Sequence, residues 1–343
     1  MKKKGLLLIN LGTPTEPSTR AVRAYLKVFL SDPCVFDVPA ILRFILLRCI
    51  ILPTRSSQSA RAYQKIWMNE GSPLMVHSVS LQKKIQKRLG DDYVVELAMR
   101  YGHPSIASAL SRLNRYCEKI LIVPLFPQFS LATNISVERE VSKQAKKLDI
   151  TKKLLWQSAF FADDFYIDAL VASVSPRLNQ KKPDFVLFSY HGLPVRQLEK
   201  SGADCQGCDR EGPCPKLSLA NARCYRAQCY ATTQAVISHL KLSDDRYMVS
   251  FQSRLGRIPW LQPYTDQLLP KLYQSGVRRL MVICPSFVVD CLETLEEIAI
   301  RASAQWKALG GESLELVPCL NDHPSWIEKF SAALKQQLSL VIE

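Results

Sequence analysis

His191 directly follows an apolar run, Phe185-Val186-Leu187-Phe188-Ser189-Tyr190, and precedes Gly192-Leu193-Pro194. A histidine placed so leaves the carboxyl edge of a sheet. Glycine at 192 permits close backbone approach, and Pro194 stiffens the turn. With an ordinary pKa of about 6.5, the imidazole can take a proton or hold a divalent metal near neutrality. A capping histidine in a turn is the plain alternative. A second group lies in Asp290-Cys291-Leu292-Glu293-Thr294-Leu295-Glu296-Glu297. If the segment is helical from about Asp290, then Asp290, Glu293 and Glu297 share one face. Such a row repels itself unless it serves a cation or moves protons. The competing reading is a solvated helix start, where acids are favourable in any case. One histidine and one carboxylate from opposing walls would form a sparse, labile metal site, unlike a closed four-ligand zinc site.

A third group is the thiol run Cys205, Cys208, Cys214, Cys224 and Cys229, spaced C-x2-C-x5-C-x9-C-x4-C. The chain has 11 cysteines and no secretion signal, so a disulfide framework is not expected. Thiols this dense in a reducing compartment usually bind metal.

Short apolar strands alternating with helices must position these groups. Leu6–Ile9, Tyr93–Met99 and 119–126 read as strands, with a helix over about 105–118. The pattern restarts with Phe185–Tyr190, Arg246–Phe251, 280–285 and Leu314–Val317. The fold class expected is α/β, with two Rossmann-like doubly wound domains and parallel sheets. Residues 1–158 form the first domain and 159–320 the second. A helix in 321–343 docks back on the first. Neither GxGxxG nor GxxxxGK[ST] occurs, and Pro14 follows the first strand, so dinucleotide or ATP binding does not follow from the layout.

The chain has 343 residues, a formal net charge of +14 and 47% hydrophobic residues, which suits two cored domains and an anionic partner. The basic residues are dispersed, without zinc-finger or RNA-binding signatures, which argues against nucleic acid. The apolar run after Lys2-Lys3-Lys4 is too short for a signal peptide. The stretch around Ile41-Leu42-Arg43-Phe44-Ile45-Leu46-Leu47-Arg48 is broken by arginines. It reads as an amphipathic helix, packed or lying at a membrane surface or cleft mouth. The expectation is a cytoplasmic protein, with peripheral contact with the inner membrane as an option.

The chain resembles the ferrochelatase family. The matching segments are, in order, Leu8-Ile9-Asn10-Leu11-Gly12-Thr13-Pro14, Gly71-Ser72-Pro73-Leu74, Met99-Arg100-Tyr101 and Pro127-Gln128-Phe129-Ser130. They continue with Phe188-Ser189-Tyr190-His191-Gly192-Leu193-Pro194, Ser250-Phe251-Gln252-Ser253-Arg254-Leu255-Gly256, Pro259-Trp260-Leu261 and Pro263-Tyr264-Thr265-Asp266. The last is the acidic segment at 290–297. The resemblance implies a lyase that inserts Fe(2+) into protoporphyrin IX to form protoheme, in a cleft between two domains, as the last step of heme biosynthesis. It implies that His191 is the catalytic histidine and Glu293 the glutamate across the cleft. Asp290 and Glu297 then belong to an acidic track. It places Arg100 and Tyr101 near the macrocycle, Tyr63 and Arg55 at a porphyrin-facing lip, and Leu11, Ser130 and Trp260 among the porphyrin-binding positions. Position 291, often histidine in the family, is cysteine here, which puts a ligand role there in doubt.

Some members carry a [2Fe–2S] cluster. Near its C-terminus this chain has only Cys319, so a cluster would use the internal insert: Cys205, Cys208, Cys214 and a fourth ligand, Cys224 or Cys229. Cys224 is favoured, because cluster-free relatives have a cysteine where Cys229 lies. Four-cysteine zinc is the competing reading. The resemblance leaves open a coproporphyrin ferrochelatase or another tetrapyrrole chelatase, contact with the preceding heme-pathway oxidase, and a monomer or homodimer. The reading from a different class is a non-enzymatic heme or iron–sulfur carrier.

Overall fold

The computed structural model describes residues 3–202, 214, 216–254, 256 and 258–340. Cys205 and Cys208 lie outside them. The chain divides into two compact units, one of residues 1–126, 131–158 and 330–343, the other of 127–130 and 159–329.

The first unit is built on four strands: β1 (Lys3–Gly12), β2 (Tyr93–Tyr101), β3 (Cys117–Pro124) and β4 (Leu154–Trp156). All pairings are parallel, in the order β2-β1-β3-β4. Leu6, Leu7, Leu8 and Ile9 are wholly buried, as expected of a strand covered on both faces. Helix Ile106–Tyr116 starts from Ser105, whose hydroxyl accepts from the Ser108 N–H, and buries Ile106, Ala109, Leu110 and Leu113. That spacing is the helical apolar stripe. β4 has no counterpart among the strands expected from the sequence pattern. Three residues are too few to show a period.

The second unit repeats the plan with β5 (Phe185–His191), β6 (Tyr247–Gln252), β7 (Arg279–Ile283) and β8 (Ser313–Leu316), parallel in the order β6-β5-β7-β8. In each sheet the first strand lies between its second and third, so the order reverses beside β1 and beside β5. The carboxyl ends at such reversals are where ligands bind in this architecture. Both ends require glycine. A Cβ on Gly12, at φ +116°, would lie 1.9 Å from the Tyr101 carbonyl oxygen, and one on Gly192 would lie 2.7 Å from that of Gln252.

The segment after β7 departs from the expected helix. Helical backbone begins at Leu292, with Cys291 as its N-cap, and widens to a π-helix over Leu295–Ala302. Asp290 therefore precedes the helix. The apolar stretch of the first unit forms a helix over Ala40–Leu46, a π turn over Leu47–Ile51 and a helix over Leu52–Ile66. No described helix is long and apolar enough to cross a membrane.

Candidate active site

His191 is the last residue of β5 and is half-buried. Its backbone is fixed from two sides. Its N–H donates to Ser286 Oγ at 3.0 Å, and its carbonyl accepts from the Tyr225 hydroxyl at 2.8 Å. Its Nδ1 lies 2.7 Å from the Gly192 carbonyl oxygen. A carbonyl only accepts, so Nδ1 bears a hydrogen, and Nε2 is the ring nitrogen left to meet a proton or a metal. The Phe287 ring packs edge-on against the imidazole, with centroids 6.2 Å apart.

Glu297 is the perturbed acid of this region. Burial first, and then the Glu293 carboxylate, push its pKa up. The Ser253 hydrogen bond, the His191 charge and Arg301 oppose them. Ser253 Oγ donates to Glu297 Oε2 at 2.5 Å. Glu297 is thus a weaker acid than an ordinary glutamate and lies within electrostatic reach of both Glu293 and His191.

Gln252, at the end of β6, ties these parts together. Its Nε2 donates to the Glu293 carbonyl at 2.7 Å and lies 3.4 Å from Glu297 Oε2. Its Oε1 accepts from Ser189 Oγ of β5 at 2.7 Å. Gln252 and Ser253 stand in the quoted motifs, yet sequence reasoning assigned them no role. A polar Gln-Ser pair closing an apolar strand was the available signal.

Asp290 corrects the reading of three acids on one helical face. Its carboxylate accepts from Asn321 Nδ2 at 2.7 Å, Thr294 Oγ1 at 2.9 Å and the Cys319 N–H at 3.3 Å. With the helix starting two residues later, this buried carboxylate ties the helix start to the 319–321 turn. It precedes the helix that carries Glu293 and Glu297. Cys291 is buried, and its desolvated thiol is pushed well above the ordinary range, which suits a neutral core thiol.

In the first unit, Arg100 and Tyr101 at the end of β2 converge on Asp32. Arg100 Nη2 lies 2.7 Å and Tyr101 Oη 2.8 Å from Asp32 Oδ2. Arg100 Nε donates to the Ser136 carbonyl and hydroxyl at 3.0 and 2.7 Å. Two guanidinium nitrogens are therefore committed inward, and among the described residues Nη1 has no hydrogen-bond partner. Tyr63 is buried and packs edge-on against Trp67, Arg55 is exposed, and Leu11 is half-buried near the end of β1. Ser130 is buried in the second unit. Trp260, also there, lines a cavity of about 390 Å³ with Val195, Arg196, Glu199 and Ile258.

Of the insert cysteines, Cys214, Cys224 and Cys229 are described. Cys224 is the N-cap of helix Tyr225–Leu240. Cys229 is wholly buried and close enough to the Tyr166, Tyr190 and Tyr225 hydroxyls to perturb them. Burial, chiefly, drives its thiol upward, and Cys224 and Cys214 add to the shift. Cys214 and Cys224 thus lie within electrostatic reach of Cys229. Among the described residues, no three His, Cys, Asp or Glu side chains are arranged to hold a metal ion.

Known proteins bear on this geometry in two ways. Structures of the sirohydrochlorin chelatase SirB from Bacillus subtilis superpose with TM-scores of 0.52 and 0.53, covering 98% of this chain and 96% of theirs. At 10% identity they show the α/β chelatase fold alone. The sequence comparisons are more specific. A protein named ferrochelatase from Coxiella burnetii is 50% identical over 98% of this chain and 95% of its own length. One from Legionella pneumophila (strain Corby) is 46% identical over 98% of this chain and all of its own. The ferrochelatase family model matches residues 3–338, and the chain belongs to the ferrochelatase family.

Proposed function

We propose that this protein inserts Fe(2+) into protoporphyrin IX, releasing two protons and forming protoheme. The observation that carries the reading is that His191, its Nδ1 engaged by the Gly192 carbonyl, lies within electrostatic reach of Glu297, an acid raised by burial, in the second unit. Metal insertion requires the two pyrrole N–H protons to leave as iron enters. His191 Nε2 accepts the first or holds the iron beside the ring. Glu293 balances the arriving charge, and Glu297, held by Ser253, takes protons onward. Asp290 serves this path by fixing the helix start. Anaerobic conversion of protoporphyrin IX and Fe(II) to protoheme, followed by absorbance, tests the reading. Turnover with coproporphyrin alone would move the substrate but leave the chemistry intact. Absence of turnover with either would favour a carrier.

The insert suits a thiolate-bound centre. Cys214 and Cys224 lie within electrostatic reach of Cys229, and Cys224 stands at the N-cap of helix Tyr225–Leu240. Cys229, deep among tyrosines, suits a core thiol better. The ligand set proposed is Cys205, Cys208, Cys214 and Cys224, holding a [2Fe–2S] cluster, with zinc as the rival. Such a cluster is an electron-transfer centre, and insertion transfers no net electrons, so its role is structural or regulatory. Iron and sulfide analysis of anaerobically purified protein separates cluster from zinc.

Partner contact is proposed for the Ala40–Leu46 helix. Ile41 is 79% and Phe44 58% exposed, and Arg48 lies over the Phe44 ring. An apolar, cationic surface of this kind suits peripheral contact with an anionic inner membrane or the preceding oxidase. Flotation with anionic vesicles tests it.

A further inference from the structure

β5 outruns one of its two neighbours. Its pairing with β6 continues to His191 and Gln252, but its pairing with β7 ends at Phe188 and Ile283. Successive residues of a strand turn their backbone groups to opposite neighbours. The Gly192 N–H turns to β6 and donates to the Gln252 carbonyl at 2.8 Å. The N–H and carbonyl of His191 therefore turn the other way, where β7 has already stopped.

Two hydroxyls stand in for the missing strand. Ser286, just past the end of β7, accepts from the His191 N–H at 3.0 Å. Tyr225, the buried first residue of helix Tyr225–Leu240, donates to the His191 carbonyl at 2.8 Å. The two side chains are themselves hydrogen-bonded. A consistent set of donors runs round this loop, with the Ser286 O–H turned to Tyr225 Oη and the Tyr225 O–H to the His191 carbonyl. Backbone groups here need partners, and a longer β7 would supply both. It would also lay a backbone about 4.8 Å from β5 along the flank of His191. Hydroxyls satisfy the same two groups without that strand.

The clamp reaches the ring in two steps. The peptide joining His191 to Gly192 is planar, so its carbonyl and N–H point in opposite directions, and Tyr225 and Gln252 hold one each. The next carbonyl, that of Gly192, meets His191 Nδ1 at 2.7 Å. Glycine turns freely about its own bonds. Release of the first peptide would let the Gly192 carbonyl swing, and the imidazole with it.

We infer that Tyr225 and Ser286 are positioning residues for iron insertion, which fix the direction of the His191 imidazole by holding the last backbone groups of β5. The inference rests on the iron-insertion reading above, in which His191 Nε2 meets the proton or the iron.

The test uses the full chain with Y225F, S286A and S286T. Anaerobic heme formation gives kcat and KM for protoporphyrin IX. NMR of isotope-labelled histidine reports the ring directly, with the His191 signals assigned by their loss in H191A. A displaced imidazole forfeits part of the rate it supplies, so kcat should fall about tenfold in Y225F and about threefold in S286A, with KM within about twofold. The His191 Nδ1 signal should shift in both. Ser286→Thr keeps the hydroxyl and should restore rate and signal. Residues that merely support the fold would lower the melting temperature, with kcat per folded molecule and the His191 signals as in the wild type, and that result overturns the inference. So does a fall in kcat with unmoved His191 signals, or S286T as slow as S286A. If Y225F does not fold, S286A and S286T decide by the same criteria. If the wild type makes no heme, the insertion reading has failed. The NMR signals then decide the placing of His191 by themselves, a shift in Y225F and S286A supporting it and unmoved signals overturning it.

Discussion

Asp32 and Glu297 are both removed from water, and their surroundings push them in opposite directions. At Asp32, burial alone would raise the pKa. Hydrogen bonds from Ser136, the Cys34 N–H and Tyr101, with the Arg100 charge, outweigh it and hold the carboxyl below its ordinary range. At Glu297, burial and the neighbouring Glu293 outweigh the Ser253 hydrogen bond, and the carboxyl rises. Asp32 is saturated with donors, stays ionised and works as an anchor. Glu297 has few donors and a like charge nearby, so its carboxyl rises above the ordinary range. Burial alone does not make a carboxylate catalytic. The count of donors against like charges decides.

The largest expected effect tests the proton-handling side. His191→Ala should lower iron insertion by about 100-fold or more, because it removes the imidazole that closes β5. An effect within about threefold, measured by steady-state heme formation, would detach His191 from the chemistry.

Glu297→Gln should lower kcat by about tenfold and also change stability. A raised folded pKa means that the group's contribution is fully present below the unfolded value and is lost as pH rises through the folded one. The glutamine variant cannot ionise. Its stability relative to wild type should therefore grow with rising pH, as read from urea midpoints at a series of pH values. A gap that shrinks with pH would contradict the raised pKa.

Asp32→Asn should show the reverse dependence. A depressed folded pKa contributes stability above the unfolded value and loses it as pH falls through the folded one. The variant's deficit should be full near neutrality and close in acid. A deficit constant down to pH 2 would mean that the carboxylate's charge contributes nothing.

Asp290→Ala should behave as an anchor as well. Leaving Asn321, Thr294 and the Cys319 N–H without their acceptor should cost about 1–3 kcal/mol in urea unfolding, with kcat per folded molecule little altered. A selective collapse of kcat would restore Asp290 to the acidic track. The smallest effect is expected of Ser253→Ala, which removes one donor from Glu297. It should raise that pKa further and shift the kcat–pH profile modestly upward in pH.

The two sheets were legible because strands buried on both faces read as unbroken apolar runs. Phe185–Tyr190 and Leu6–Ile9 could hardly be anything else. Strand ends were legible too, since Gly12 and Gly192 mark backbone too close for a Cβ. His191 was singled out because it follows an apolar strand, and Glu293 and Glu297 because they stand in an acidic segment after β7. Their chemistry was not legible, because a pKa is set by neighbours distant in sequence. Gln252 lies 41 residues before Glu293, and Asp32 lies 68 before Arg100. Periodicity also failed where backbone geometry changed. A cap at Cys291 and a π-helix from Leu295 took Asp290 off the face that regular helical spacing gave it. Local pattern is enough to specify which segments are buried and where strands stop. Which carboxyl is held low and which is raised depends on the donors and charges that other segments bring, and only the tertiary structure decided that.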